Sequence, residues 1–214
     1  MTFRTAIQAF VLAAGLIAAA VASGQAYDEI LGAATRGDAK VVGDYLSKGL
    51  DPNTADPAGN TLLMIAAREG HFDLVKLLVS RKANVAARSP HGDTALMFAS
   101  LKGRMPIVEY LVEHGAQLSQ SGWNPIHYAA FEGRSEVIKF LIGRGADKDA
   151  IAPNGYSALM LAVRGGHVPA VRTLLYEDVD LSITGPKGET ALSLATVKKN
   201  DELIGLLKRS GAVR

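Results

Sequence analysis

The chain has 214 residues, 48% of them hydrophobic and 21% charged, with 23 Lys and Arg against 21 Asp and Glu. These proportions belong to a globular protein and exclude disorder and collagen-like structure, while a formal charge of +2 is too even for a surface devoted to neutralising phosphates. With no cysteine, the chain has no disulfides, thiolate catalysis, Cys-based metal centres or lipid-modified Cys.

The first element in chain order is a leader. Met1–Thr5 carries one positive charge, Arg4, and Ala9–Ala22 is wholly apolar. Small residues follow at cleavage spacing, either Ala20-Val-Ala22 before Ser23 or Gly24-Gln-Ala26 before Tyr27. A charged start, a short apolar run and a small-x-small exit predict a secretory signal peptide over residues 1–26. A retained membrane anchor is the alternative, but the run falls short of the roughly 18–20 apolar residues that span a bilayer. The mature chain is expected to be soluble, periplasmic and nearly neutral, with 22 basic against 21 acidic side chains.

The remainder repeats. Taking the glycine that ends each finger as an anchor, Gly59, Gly92, Gly122, Gly155 and Gly188 follow one another at intervals of 33, 30, 33 and 33 residues. Two residues past each anchor stand Thr61, Thr94, Asn124, Ser157 and Thr190, side chains suited to capping a helix N-terminus. Small residues such as Ala66, Ala99, Ala129, Ala162 and Ala195 let this first helix approach its neighbours, and Gly70, Gly103, Gly133 and Gly166 end it. A second helix carries an apolar stripe at i, i+1, i+4, as in Val137, Ile138 and Leu141. Pro106 and Pro169 fit its first turn. It ends at Gly49, Gly115, Gly145 and Gly211, with Lys82 and Asp178 in the same left-handed slot of two units. Val213 is expected beyond the last helix.

Between units, Asp56-Pro-Ala-Gly59, Ser89-Pro-His-Gly92, Ala152-Pro-Asn-Gly155 and Gly185-Pro-Lys-Gly188 place Pro and Gly as type I turns prefer. The 30-residue interval marks a finger, from Gly115 to Gly122, that has lost three residues and the turn proline.

Gly59-Asn-Thr-Leu-Leu-Met-Ile-Ala-Ala-Arg-Glu-Gly70-His and its four companions, together with an abbreviated unit at Ala33-Ala-Thr-Arg-Gly37-Asp, resemble the ankyrin repeat from about Tyr27 to Ala212. The resemblance implies an all-α solenoid of helix-turn-helix units with β-turn fingers. Its units are a cap at about 27–55 and repeats at about 56–87, 88–118, 119–150, 151–182 and 183–214. It also implies a non-enzymatic, monomeric interaction module, and the alternation of Arg68, Lys102, Arg164 and Lys198 with Asp93, Glu132 and Glu189 points to a protein partner rather than nucleic acid or an anionic membrane.

No catalytic, cofactor or metal constellation is expected. His71 and His167 occupy the Gly-His slot of the repeat, His127 an inner framework slot and His114 a helix end, leaving His91 alone at a finger tip. Asp147-x-Asp149 lacks the glycine that a calcium loop needs and reads as the tail of a repeat.

By the same resemblance, the partner-facing slots flank the anchor glycine and precede the glycine that ends the first helix. Candidate partner-binding residues are Trp123, Phe131, Tyr156, Leu101, His91, Arg68 and Arg164. Trp123 is the sole tryptophan and occupies a slot the fold does not need, and an apolar cluster rimmed by charge has the composition of an interaction hot spot. Trp123 could instead fill space left by the shortened finger. A receptor for a small molecule or cell-wall fragment, seated beside that finger, is the rival reading. Asn60, Glu69, Asp93, Lys102, Glu132, Asn154, Lys187, Glu189 and Lys198 share such slots.

Overall fold

The computed structural model describes residues 24–212. The leader up to Ala22, the Ser23 cleavage position and Val213 lie outside the described residues.

The described chain folds as twelve helices in six consecutive pairs, and its β-structure is confined to two isolated antiparallel bridges, Ala55 to Thr61 and Ile151 to Ser157. The inner member of each pair is α1 (24–36), α3 (Leu62–Glu69), α5 (Ala95–Lys102), α7 (Pro125–Phe131), α9 (Ala158–Gly165) or α11 (Ala191–Val197). The outer members are α2 (Ala39–Ser47), α4 (Phe72–Ser80), α6 (Met105–Glu113), α8 (Ser135–Gly143), α10 (Val168–Tyr176) and α12 (Asp201–Arg209). From α3 onward each inner helix packs on the next inner helix, and each outer helix from α2 onward on the next outer one. The array is the all-α solenoid that the repeat pattern predicts.

The inner helices sit between neighbours on both sides, so burial runs almost all round them: Leu62 through Ala67 and Ala158 through Val163 are all buried. The outer helices bury one stripe, in α8 Val137, Ile138 and Leu141. Four of the five expected N-caps act through their side chains, the Thr61 hydroxyl accepting from Met64 N (3.2 Å) and the Thr94, Ser157 and Thr190 hydroxyls doing the same in their units. Asn124 departs from the pattern. Its Oδ1 accepts instead from Gln120 N at 2.8 Å, and the His127 N–H turns to the Asn124 backbone carbonyl.

The shortened finger explains the departure. In the full-length fingers the chain closes with a backbone pair such as Ala152 N to Tyr156 O (3.0 Å) and Gly155 N to Ala152 O (2.8 Å). In the short one the Gln120 side chain replaces the missing turn. Its Nε2 donates to Trp123 O (3.0 Å) and to Gly92 O (3.1 Å), stitching the stump to the preceding finger.

A second ladder joins the units through the slot after each helix-ending glycine. His71 Nε2 donates to Thr35 O (2.8 Å), Arg104 to Glu69 O (3.2 Å), Arg134 to Leu101 O (3.1 Å) and His167 Nε2 to Phe131 O (2.9 Å). Each ties an outer helix to the carbonyl end of the preceding inner helix, where a donor relieves orphan acceptors. The ring of His167 approaches so closely that a Cβ on Gly133, at φ +69°, would lie 2.5 Å from its Cγ. Asp149 belongs to a comparable link, its Oδ1 accepting from Asp180 N in the next unit at 2.7 Å.

Candidate functional site

Two rows of side chains project from the inner side of the array. The last turns of α3, α5, α7, α9 and α11 supply Arg68, Leu101, Phe131, Arg164 and Val197, one per unit at the same register. The fingers supply Asn60, Asp93, Trp123, Tyr156 and Glu189 just after each anchor glycine. An amphipathic helix that has buried every other face leaves only this last turn for solvent, so side chains here are free of the packing constraint that governs the rest of the helix.

Between these rows lies an open depression of about 830 Å³. Leu101, Trp123, Tyr128, Phe131 and Leu161 make its apolar wall, and Asn154, Arg164, Gly165 and Lys198 complete the lining. Phe131 is 55% exposed, unusual for a phenylalanine, and Val197 further along the same row is 82% exposed. Gly165 occupies the position held by Glu132 and Lys198 in the flanking units, and a Cβ there would lie 2.3 Å from Cδ2 of His167, so the glycine makes room for that ring.

The depression brings together four of the seven residues singled out in the sequence: Leu101, Trp123, Phe131 and Arg164. Tyr156 stands behind them. Its ring lies 4.6 Å beneath the Arg164 guanidinium, and its hydroxyl donates to Glu189 Oε1 at 2.8 Å. That hydrogen bond raises the phenol's pKa above its ordinary value. Arg68 pairs with Glu69 at 2.9 Å, and His91 is exposed at its finger tip; neither lines the depression. Trp123 does two things at once. Its indole packs edge-on against His127 (5.9 Å) and Tyr128 (5.7 Å), half-buried, while also forming part of the wall.

Tyr128, Leu161, Gly165 and Val197 escaped the sequence reading. Helical spacing carries a signal for the first two, because Tyr128 precedes Phe131 by three residues and Leu161 precedes Gly165 by four, which puts each pair on one face.

His127 anchors the floor behind Trp123. Its Nδ1 accepts from Asn124 N (3.0 Å), which leaves the proton on Nε2 to be donated to Ala150 O in the next finger (2.8 Å). The side chain is fully buried, and burial pushes its pKa below the ordinary 6.5, holding the imidazole neutral. Tyr128 donates its hydroxyl to Asp93 across the groove, and burial and that carboxylate drive its pKa far upward, so the phenol stays protonated. The lining therefore presents apolar surface, hydrogen-bonded groups already engaged, and cations. Such a surface can bind; it offers no paired nucleophile and base.

A family model described as ankyrin repeats in three copies matches residues 30–121, 83–152 and 126–213. Over 70 residues the chain is 41% identical to an ankyrin repeat-containing protein of Treponema pallidum (strain Nichols). That stretch is 32% of this chain and 24% of the relative, so the match spans about a quarter of the relative's length. The crystal structure of the human ASB11 ankyrin repeat domain is similar with a TM-score of 0.80 and 27% identity, covering 86% of this chain and 84% of that one.

Proposed function

Because the chain belongs to the ankyrin-repeat family, we propose that it is an exported, monomeric, non-enzymatic module that grips a protein partner with the depression between α5, α7, α9 and α11. The observation that carries this reading is the convergence of Leu101, Trp123 and Phe131 on one open apolar wall, with Phe131 55% exposed. Burying an exposed aromatic against a partner recovers solvent-exposed apolar area, and aromatic anchors dominate binding energies. Export rests on the leader of residues 1–26, and the periplasm follows from the leader and the lack of cysteine. The Tyr27 hydroxyl donates to Ala55 O of the first finger, which supports a mature chain that keeps Tyr27. The intact mass of the exported protein checks this: a start at Ser23 or Tyr27 agrees with it, and a membrane-held species retaining Met1 refutes it.

The binding test is Phe131→Ala and Trp123→Ala with Tyr176→Ala, exposed on the outer helix α10, as the off-site control, each checked by thermal melting before partner capture from a periplasmic extract. Loss of an interface anchor of this kind costs about 2 kcal/mol or more, roughly a thirtyfold drop in affinity. Phe131 is exposed enough that its truncation leaves the fold intact. Full capture by a folded Phe131→Ala protein refutes the reading. The size of the depression favours a second reading, a small-molecule receptor, since ligand sites occupy about 300–1,000 Å³; the experiment below separates the two.

A further inference from the structure

Charges of both signs alternate along the inner face in sequence, but the structure sorts them. Every groove carboxylate is already engaged within the protein. Glu69 pairs with Arg68 (2.9 Å), Asp93 accepts from the Tyr128 hydroxyl, and Glu132 lies 3.6 Å from Arg134. Glu189 accepts from both the Tyr156 hydroxyl and Lys187 N (2.8 Å each), and its own backbone N–H, followed by these two hydrogen bonds, holds its carboxyl below the ordinary pKa. The cations are left over. Among the described residues of the groove slots, Lys102, Arg164, Lys187 and Lys198 have no carboxylate within 4.0 Å. Two of these four, Arg164 and Lys198, line the depression, whose lining contains no acidic side chain.

We propose, resting on the groove reading above, that the occupant is an acidic peptide segment of a partner protein: a large apolar side chain laid against Trp123 and Phe131, with neighbouring carboxylates held by Arg164 and Lys198. The Tyr156 ring beneath Arg164 fixes that guanidinium in place, so less side-chain freedom is lost when a carboxylate binds. The apolar wall lowers the local dielectric and strengthens the attraction, and no acidic side chain lines the depression to repel an anionic ligand at contact. Nucleic acid fits less well. The unpaired cations of the groove slots are four, and the intervening carboxylates interrupt any continuous basic track.

The test uses the purified exported protein and three fluorescein-labelled peptides, acetylated and amidated, each with Leu and Phe alternating with Glu, Gln or Lys. Anisotropy reads affinity, and the emission of Trp123, the sole tryptophan, reports where the peptide sits. The Glu peptide is expected to bind about tenfold more tightly than the Gln peptide at low salt, with the Lys peptide weakest and the spread shrinking at high salt. Arg164→Gln combined with Lys198→Gln should bring the Glu and Gln peptides level, and Phe131→Ala should weaken both. If the Lys or Gln peptide binds as well as the Glu peptide, or if none binds, the acidic-peptide proposal is overturned. In the first case persistent sensitivity to Phe131→Ala leaves the groove reading standing. If the Glu peptide binds Phe131→Ala undiminished and without changing Trp123 emission, both readings fall. If N-acetyl-leucine competes as strongly as the whole Glu peptide, the site is a small-molecule receptor and the peptide proposal is overturned.

Discussion

The outer helices offer a direct measure of what backbone conformation costs in this array. Six of them end in a residue with left-handed backbone, glycine in α2, α6, α8 and α12 but Lys82 after α4 (φ +70°) and Asp178 after α10 (φ +54°). A left-handed residue with a Cβ carries about 1–2 kcal/mol of strain, of which glycine's greater freedom in the unfolded chain returns about 0.4–1. Lys82→Gly and Asp178→Gly should therefore each stabilise by about 0.5–1 kcal/mol. Asp178 should gain the more, because it also places a negative charge at the carboxyl end of a helix, where Lys82 places a favourable positive one. The carbonyl of Asp178, which accepts from Lys148, is kept by the substitution. The two sites lie three units apart and share no partner, so the double variant should add the effects and raise the melting midpoint by about 2–8 °C for a chain of this length. Gly115→Ala is the mirror experiment. At φ +86° an added Cβ there meets nothing within 4 Å, so its cost is backbone strain alone, about 0.5–1 kcal/mol. Thermal melts of the four proteins decide the matter. Unchanged or lower midpoints for both glycine variants, or a Gly115→Ala protein as stable as the parent, would refute the strain argument.

Three further outcomes are expected. Ser100→Ala should stabilise by about 1 kcal/mol in urea denaturation, because the Ser100 hydroxyl is fully buried with no hydrogen-bond partner. Gln120→Ala should destabilise by about 1–2 kcal/mol, since its amide supplies the two bonds that close the short finger; a neutral result would show that the finger holds without it. Burial lowers the folded pKa of His127, so the unfolded chain binds its proton first as pH falls. The stability that follows from this is complete above about pH 6.5 and is lost as the pH falls through the folded pKa, and melting midpoints of His127→Met, which cannot titrate, should fall less than the parent's across that window.

The repeating framework was legible because each of its slots answers a local demand. A helix start needs a side-chain acceptor, a helix stop needs a left-handed residue, and a stacked helix needs small side chains, so Thr61, Gly70 and Ala66 announce themselves without knowledge of any neighbour. The positions of Lys82 and Asp178 followed from register alone, and their positive φ values agree. Lys199, also at positive φ (+53°), stands where the first four full units put the helix-ending glycine, and register would have found it by the same count. What register could not supply were relations across units. Asn124 occupies a capping slot yet serves Gln120, and Gln120 reaches Gly92, 28 residues away. Arg104 and Arg134 do the work of His71 and His167 in the inter-unit ladder, a likeness of geometry that residue identity conceals.

The candidate site was legible in its slots and obscure in its charges for the same reason. Slots are a property of the single repeat, so Leu101, Trp123, Phe131 and Arg164 could be named together before their contacts were known. Neutralisation is a property of pairs. Along the sequence Glu132 and Arg164 look like equal members of a mixed rim, but one faces Arg134 and the other stacks on Tyr156 with no acid in reach. Pairing thus takes Glu69 and Glu132 out of the exposed balance, holds Asp93 and Glu189 on phenol hydroxyls, and leaves Arg164 and Lys198 without a carboxylate partner beside the apolar wall. A chain nearly neutral in total can in this way present a locally positive, apolar seat, which is why net charge alone says little about what such an array will hold.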